Sequence, residues 1–169
     1  MLNYLLYIAD TINRPDELAN DIATTFDAIA HTIEIIDEKY DYIVLLQPTS
    51  PLRNAKHIDV TIELHEAKNT DAVVSVCQME CSPFWANTLD ESLSMKNFLS
   101  EEILNKRSQD LETYYRLNGA IYICKTDKLL KEKSFFLKDN IFAYVMDRES
   151  SIDIDEEIDF KLAEVLINA

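Results

Sequence analysis

The segment Ser151-Ile152-Asp153-Ile154-Asp155 alternates polar and apolar residues. Successive side chains of an extended chain point to opposite faces, so both carboxylates share one face while the isoleucines turn toward a core. Two carboxylates on one face suit a hard cation, and Mg²⁺ typically takes one or two of them together with phosphate oxygens of a substrate. The same residues admit a structural role. Asp155 can cap a following helix, with Glu156 and Glu157 favoured by the dipole in its first turn.

A second group is Gln47-Pro48-Thr49-Ser50-Pro51-Leu52-Arg53, which follows the apolar run Tyr42–Leu46. Two prolines stiffen it, while an amide, two hydroxyls and a guanidinium project from it. In open α/β sheets ligands sit beyond the carboxyl ends of the strands, where this segment is expected; a rigid strand-to-helix turn is the plain alternative. Asn118-Gly119-Ala120 places a glycine just before a strand, where a positive φ or a close backbone approach is often needed. Arg14, Arg107 and Arg116 are scattered cations whose forks suit carboxylate or phosphate, although each alone reads as a surface ion pair. Phe135-Phe136 is an aromatic pair in a polar stretch, a pattern met more often in cores than in ligand platforms. His31, His57 and His65 show no chelating spacing, and Cys77, Cys81 and Cys124 form no CxxC pair. Zinc binding is not expected, and the thiols read as reduced, in a cytosolic protein.

These residues need elements to hold them. From Arg14 onward Leu18, Ile22, Phe26, Ile29, Ile33 and Ile36 recur at steps of three and four, one face of a helix that Asp16 or Asp21 would cap. Tyr42–Leu46 reads as a strand covered on both faces, as in a parallel sheet. Asn54 caps a helix with Ile58 and Ile62 inward, running to about Lys68, and Ala72–Cys77 is a second buried strand, which completes a βαβ unit. Short alternating pieces around Phe84–Leu89 and a polar stretch from Ser100 to Glu112 precede a strand at Ala120–Cys124. Ile141–Met146 is a further strand, and a last helix carries Ile158, Leu162, Val165 and Leu166 on one face. The 169 residues form one domain, with no repeat and no linker.

Composition excludes whole classes. The net charge of −15 leaves no concentrated basic face for a polyanion. No apolar run approaches 18 residues, and the apolar opening Met1–Ile8 lacks the basic flank of a signal peptide. A soluble, unexported protein is expected. Gly119 is the single glycine, where average usage would give roughly 12; a phosphate loop built of several glycines is therefore excluded within this chain.

Taken together, Arg14-Pro15-Asp16-Glu17-Leu18-Ala19, Leu45–Arg53, Asn118-Gly119-Ala120-Ile121-Tyr122-Ile123 and Ser151–Asp155 resemble, in order, the motifs of the acylneuraminate cytidylyltransferases, the CMP-sialic acid synthetase family. The resemblance implies a three-layer, Rossmann-like α/β nucleotidyltransferase fold with a mostly parallel sheet, and a dimerisation and sugar-site segment at about residues 80–115. It implies transfer of CMP from CTP to the anomeric hydroxyl of a sialic-type sugar acid, with release of pyrophosphate. By the same resemblance Asp153 and Asp155 are catalytic and hold Mg²⁺, and Arg14, Ala23 and Thr25 meet the cytidine. Gln47, Asn118, Tyr122, Phe135 and Phe136 belong to the sugar pocket. Arg116 is associated with the sugar site across a homodimer interface. No nucleic acid and no membrane is implied as a partner, and the location is cytoplasmic.

The family begins with a strand and a glycine-containing loop that wraps the triphosphate, whereas this sequence carries neither. An N-terminally truncated domain with impaired turnover is the expectation, and a catalytically inactive binding or interaction module of the same fold is the alternative. Ser108 stands where the family often has an arginine for the sugar carboxylate, with Arg107 one position earlier, and Trp85 replaces a lysine seen in some members. Legionaminic- and pseudaminic-type acids are as admissible as sialic acid.

Overall fold

The structure, a computed structural model, describes residues 11–20 and 22–168. The apolar opening Met1–Ile8 and the candidate cap Asp21 lie outside the described residues. The first helix, α1 (Thr25–Ile35), begins later than the apolar spacing predicts. The Asn20 side chain is the reason: its Oδ1 accepts from the backbone N–H of Ile22 and Ala23, at 2.9 and 3.0 Å. Such local bonds offer the backbone an alternative to the helix. Among the described residues upstream, a 3-10 turn, Asp16–Leu18, forms in place of helix, and Ile22 is left exposed. Thr24 caps α1, its Oγ1 accepting from Asp27 N while Asp27 Oδ2 accepts from Thr24 N.

Strand β1 (Tyr42–Leu46) leads through the Gln47–Arg53 segment to α2 (Ala55–Lys68), capped by Asn54 as its sequence predicts. β2 (Ala72–Gln78) follows, then the long excursion 79–114, which contains two one-turn 3-10 helices: Pro83–Trp85, at the start of the expected alternating pieces, and Ser108–Asp110, within the polar stretch. β3 (Tyr115–Lys125) runs directly into α3 (Thr126–Glu132). β4 (Ile141–Met146) and α4 (Glu157–Ile167) complete the chain.

The sheet order is β1-β3-β2-β4, with β3 antiparallel to both β1 and β2, and β2 parallel to β4. This corrects the expectation of a mostly parallel sheet, since only one of the three pairings is parallel. β1, β2 and β4 do run in one direction. However, α2 carries the chain past a gap, and β3, returning from the excursion with no crossover helix, fills that gap in the opposite sense. β3 also extends to Tyr115, because residues 115–117 pair with Val76–Gln78.

Alternation along β3 divides the core. Ile121 and Ile123 pack with Val73 and Met146 toward Ile58 and Ile62 of α2. Cys124 packs with Leu129 and Phe135 on the other face, against Phe26 and Ile29 of α1. Helices thus cover both faces of an open sheet, an α/β architecture. α4 departs from its expected packing. Ala163 is buried and Leu166 half-buried, while Ile158 and Val165 are each 65% exposed and Leu162 is exposed too. The two possible faces are offset by one residue, and the small Ala163 permits the closer approach.

His65 is buried at the end of α2, its Nδ1 2.7 Å from Thr70 Oγ1 and its ring 5.2 Å from that of Tyr42. Burial, with the nearby Lys125 charge, depresses its pKa. The native state therefore binds fewer protons than the unfolded chain just below the unfolded histidine pKa of about 6.5. The sign follows: stability is intact above that value and declines as pH falls toward the depressed folded pKa. Urea midpoints between about pH 7 and about pH 5.5 are expected to fall less for His65→Gln than for the native protein. Equal declines would show that His65 is not the titrating group.

Candidate functional site

Gly119 lies in β3 with φ +73, a left-handed conformation that side chains with a Cβ rarely adopt. A Cβ placed there would sit 2.8 Å from Gln47 Oε1 and 2.9 Å from Asp153 Oδ2. The amide at the carboxyl end of β1 and the first carboxylate of the Ser151–Asp155 segment therefore converge over the one residue that leaves room for both. Ile154 N donates to Thr49 O at 2.8 Å, which ties the two segments together beside this point.

The rigidity of the Gln47–Arg53 segment has a source besides its prolines. Arg53 Nη1 donates to Gln47 O at 3.0 Å and to Ala120 O at 2.8 Å, clamping the segment onto β3. The guanidinium expected to project from this segment is turned inward, and burial lowers its pKa. Ser50 is buried as well, with its hydroxyl directed at Asn118 O. Thus only Gln47, of these groups, is shown facing Asp153.

Asp153 is half-buried, and its Oδ1 has no hydrogen-bond partner among the described residues. Two neighbours sense its charge. Burial opposes the Arg116 charge, but the hydrogen bond to Glu80 and the charges of Glu80 and Asp153 hold its pKa above the ordinary value. Burial, aided by Asp153, raises the pKa of Tyr122. Arg116 pairs with Glu80 at 3.2 Å, and Arg148 approaches the same carboxylate at 3.7 Å. Arg107 instead closes a surface pair with Asp110 at 2.9 Å.

The Tyr122 ring centroid lies 5.6 Å from that of Phe135 and 6.2 Å from that of Phe136. Phe135 belongs to the core, whereas Phe136 is exposed. Arg14, Ala23, Thr25 and Gln47 line one groove of about 1140 Å³ between α1 and β1, whose walls also include Ile29 and Leu45. Asp155 is exposed, and Asp159 Oδ2 accepts from its N–H and from that of Glu156, so α4 is capped from within and Asp155 is not its cap. Asn118 is 1% exposed and its amide is fully engaged with protein groups. Residue spacing left Ser75 unnoticed, although a serine inside Val73–Val76 is a polar residue in a buried run, which usually signals a fixed hydrogen bond. Glu80, the partner of Arg116, carried no signal in the sequence, because 36 residues separate them.

No family model matches the chain. It is 37% identical over 158 residues to the N-acylneuraminate cytidylyltransferase of Escherichia coli O18:K1:H7, covering 93% of this chain and 37% of that protein. It is 36% identical over 150 residues to the protein of the same name from Streptococcus agalactiae serotype V, covering 88% and 35%. Against the CMP-N,N'-diacetyllegionaminic acid synthase of Legionella pneumophila it is 33% identical over 162 residues, covering 88% of this chain and 66% of that one. The chain belongs to the acylneuraminate cytidylyltransferase family. It spans about a third of the length of the first two of these relatives.

Nucleotidyl transfer in such a family invites the question of a metal. The orphaned, buried Asp153 Oδ1 is a hard anionic donor with nothing to satisfy it, as a cation ligand would be. Among the described residues no group of three or more His, Cys, Asp or Glu side chains gathers. The described residues thus offer a carboxylate oxygen, the donor type of a hard divalent cation, at this point. Cys77 and Cys124 are buried and Cys81 exposed, and burial pushes the Cys124 thiol up to about 11, away from metal-binding thiolate.

Proposed function

We propose that this protein serves CMP-nonulosonic acid synthesis, in which the anomeric hydroxyl of a sialic-type sugar acid attacks the α-phosphorus of CTP. The new bond joins the sugar oxygen to the α-phosphorus, the hydroxyl proton is released to solvent, the bond from that phosphorus to the bridging oxygen breaks, and pyrophosphate leaves with that bond's electron pair. The observation that carries this reading is the convergence of Gln47 and Asp153 over Gly119.

In this reading Gln47 hydrogen-bonds the sugar from the end of β1, and Tyr122, Phe135 and Phe136 wall its apolar side. Arg116, paired with Glu80, serves the sugar site across the homodimer interface. Arg14, Ala23 and Thr25 take the cytidine along the groove they share with Gln47. Asp153, with Asp155, would hold Mg²⁺, which offsets charge on phosphate oxygens when bound. A homodimer through residues 80–115 accords with the exposed Phe84, Leu89, Leu93 and Met95 of that segment. A cytoplasmic location accords with free thiols; no helix among the described residues is long and apolar enough to cross a membrane.

The test is titration of purified protein with sialic, legionaminic and pseudaminic acids in CTP and Mg²⁺, followed by calorimetry and by pyrophosphate release. One acid of the panel is expected to bind, about tenfold more weakly to Gln47→Ala. Binding without pyrophosphate release would favour the inactive binding module. Neither binding nor release would overturn both readings.

A further inference from the structure

Ser75, Asn118 and Ser151 are each at most 1% exposed and form one continuous chain of hydrogen bonds through the sheet. Ile121 N donates to Ser75 Oγ at 2.8 Å, and Ser75 Oγ donates to Asn118 Oδ1 at 2.6 Å. Asn118 Nδ2 donates to Ser151 Oγ at 2.9 Å and to Met146 Sδ at 3.3 Å, and Ser151 Oγ donates to Asp147 O. Ala120 N, which can only donate, also reaches Asn118 Oδ1, at 3.2 Å, and so fixes which way the amide faces. An asparagine side chain has two donor hydrogens and two acceptor sites. All four are used, and none remains for a ligand.

The place of this chain in the fold gives it a task. The register between β2 and β3 breaks between Val74 and Val76, where Val74 faces Tyr122 but Val76 faces Leu117. Four residues of β3, 118–121, thus stand opposite the single Ser75. The Ser75 hydroxyl stands in for the interrupted ladder, and the slack in β3 is what lets Gly119 take φ +73 beneath Gln47 and Asp153. At the other end, Ser151 lies two residues before Asp153.

We propose that Asn118 is a positioning residue: joined to Ser75 and Ser151, it sets the gap between Asp153 and Gln47 and makes no contact with substrate through its side chain. This departs from the sugar contact implied for Asn118 by family resemblance, and it rests on reading the place where Gln47 and Asp153 converge over Gly119 as the transfer site.

The test begins with side-chain amide NMR of the native protein. The Asn118 NH₂ pair is expected to exchange slowly and to stay unshifted in saturating CTP, Mg²⁺ and sugar acid. Ser151→Ala removes one partner while leaving Asn118 and every group assigned to ligand in place. It is expected to move the Asp153 ¹³Cγ resonance and to lower kcat about 10- to 100-fold, with the sugar KM changed less than about twofold. Asn118→Ala is measured alone and combined with Ser151→Ala, with urea denaturation confirming that each variant folds, and the two effects are expected to be non-additive. Rapid exchange, a ligand-induced shift of the Asn118 amide, an unmoved Asp153 resonance, or a raised KM at unchanged kcat would overturn the proposal. Absence of turnover in the native protein would refute the reading of this convergence as a transfer site, and amide exchange with the Asp153 resonance would still decide the role of Asn118.

Discussion

Gly119→Ala is expected to cost about 2–4 kcal/mol of folding stability and to reduce sugar-acid binding at least about 100-fold. Two penalties combine. An alanine held at φ +73 is strained by about 1–2 kcal/mol. Its methyl also lies 2.8 Å from Gln47 Oε1 and 2.9 Å from Asp153 Oδ2, closer than real Cβ contacts come. Both are side-chain ends, which would ordinarily yield at small cost. Here the backbone behind each is pinned, Gln47 by Arg53 and the Asp153 segment by the bond from Ile154 N to Thr49 O. Relief therefore has to open the gap on which the site depends. Urea denaturation and calorimetric titration of the sugar acid check the two parts separately; native values in both would show that the close approach is unimportant.

Asp153→Asn is expected to separate stability from function. The substitution keeps shape while removing a charge whose buried Oδ1 has no partner. Leaving a charged atom unsatisfied costs more than the roughly 1–3 kcal/mol of a neutral one, so neutralising it is expected to leave stability unchanged or to raise it by about 0.5–1 kcal/mol. Arg116 loses one favourable charge but retains Glu80 at 3.2 Å, which limits the opposing term. Metal-dependent pyrophosphate release is expected to fall about a thousandfold. Denaturant midpoints and the Mn²⁺ electron-spin-resonance signal of the two proteins decide the matter. A variant that is destabilised by more than about 2 kcal/mol yet binds Mn²⁺ normally would mean that Asp153 is structural.

Legibility in the sequence followed the locality of each signal. Tyr42–Leu46 and Ile141–Met146 were readable to their ends, because dense apolar runs are bounded by local breakers such as Gln47-Pro48. Asn54 was readable as a cap for the same reason, since its partner His57 is three residues away. The start of α1 was misread because apolar spacing continues through Leu18 and Ile22 while the Asn20 side chain holds the backbone out of the helix. The inward face of α4 was misread because two faces differing by one residue both carry apolar side chains, and only packing selects Ala163 over Ile158 and Val165.

The site divides in the same way. Residue types and alternation marked the segments Gln47–Arg53, Asn118–Ala120 and Ser151–Asp155 as candidates, each with a structural alternative, and excluded a glycine-rich phosphate loop within these residues. A lone glycine and a pair of carboxylates two residues apart are local facts, visible in any unfolded chain. Tertiary structure decided that Gln47 and Asp153, 106 positions apart in the sequence, meet over Gly119. It turned Arg53 inward and placed β3 antiparallel between β1 and β2. The physical reason is that strand order, register and the partners of buried polar groups are settled by competition among distant segments for one core and one set of hydrogen bonds. Neighbouring residues carry no record of who wins that competition.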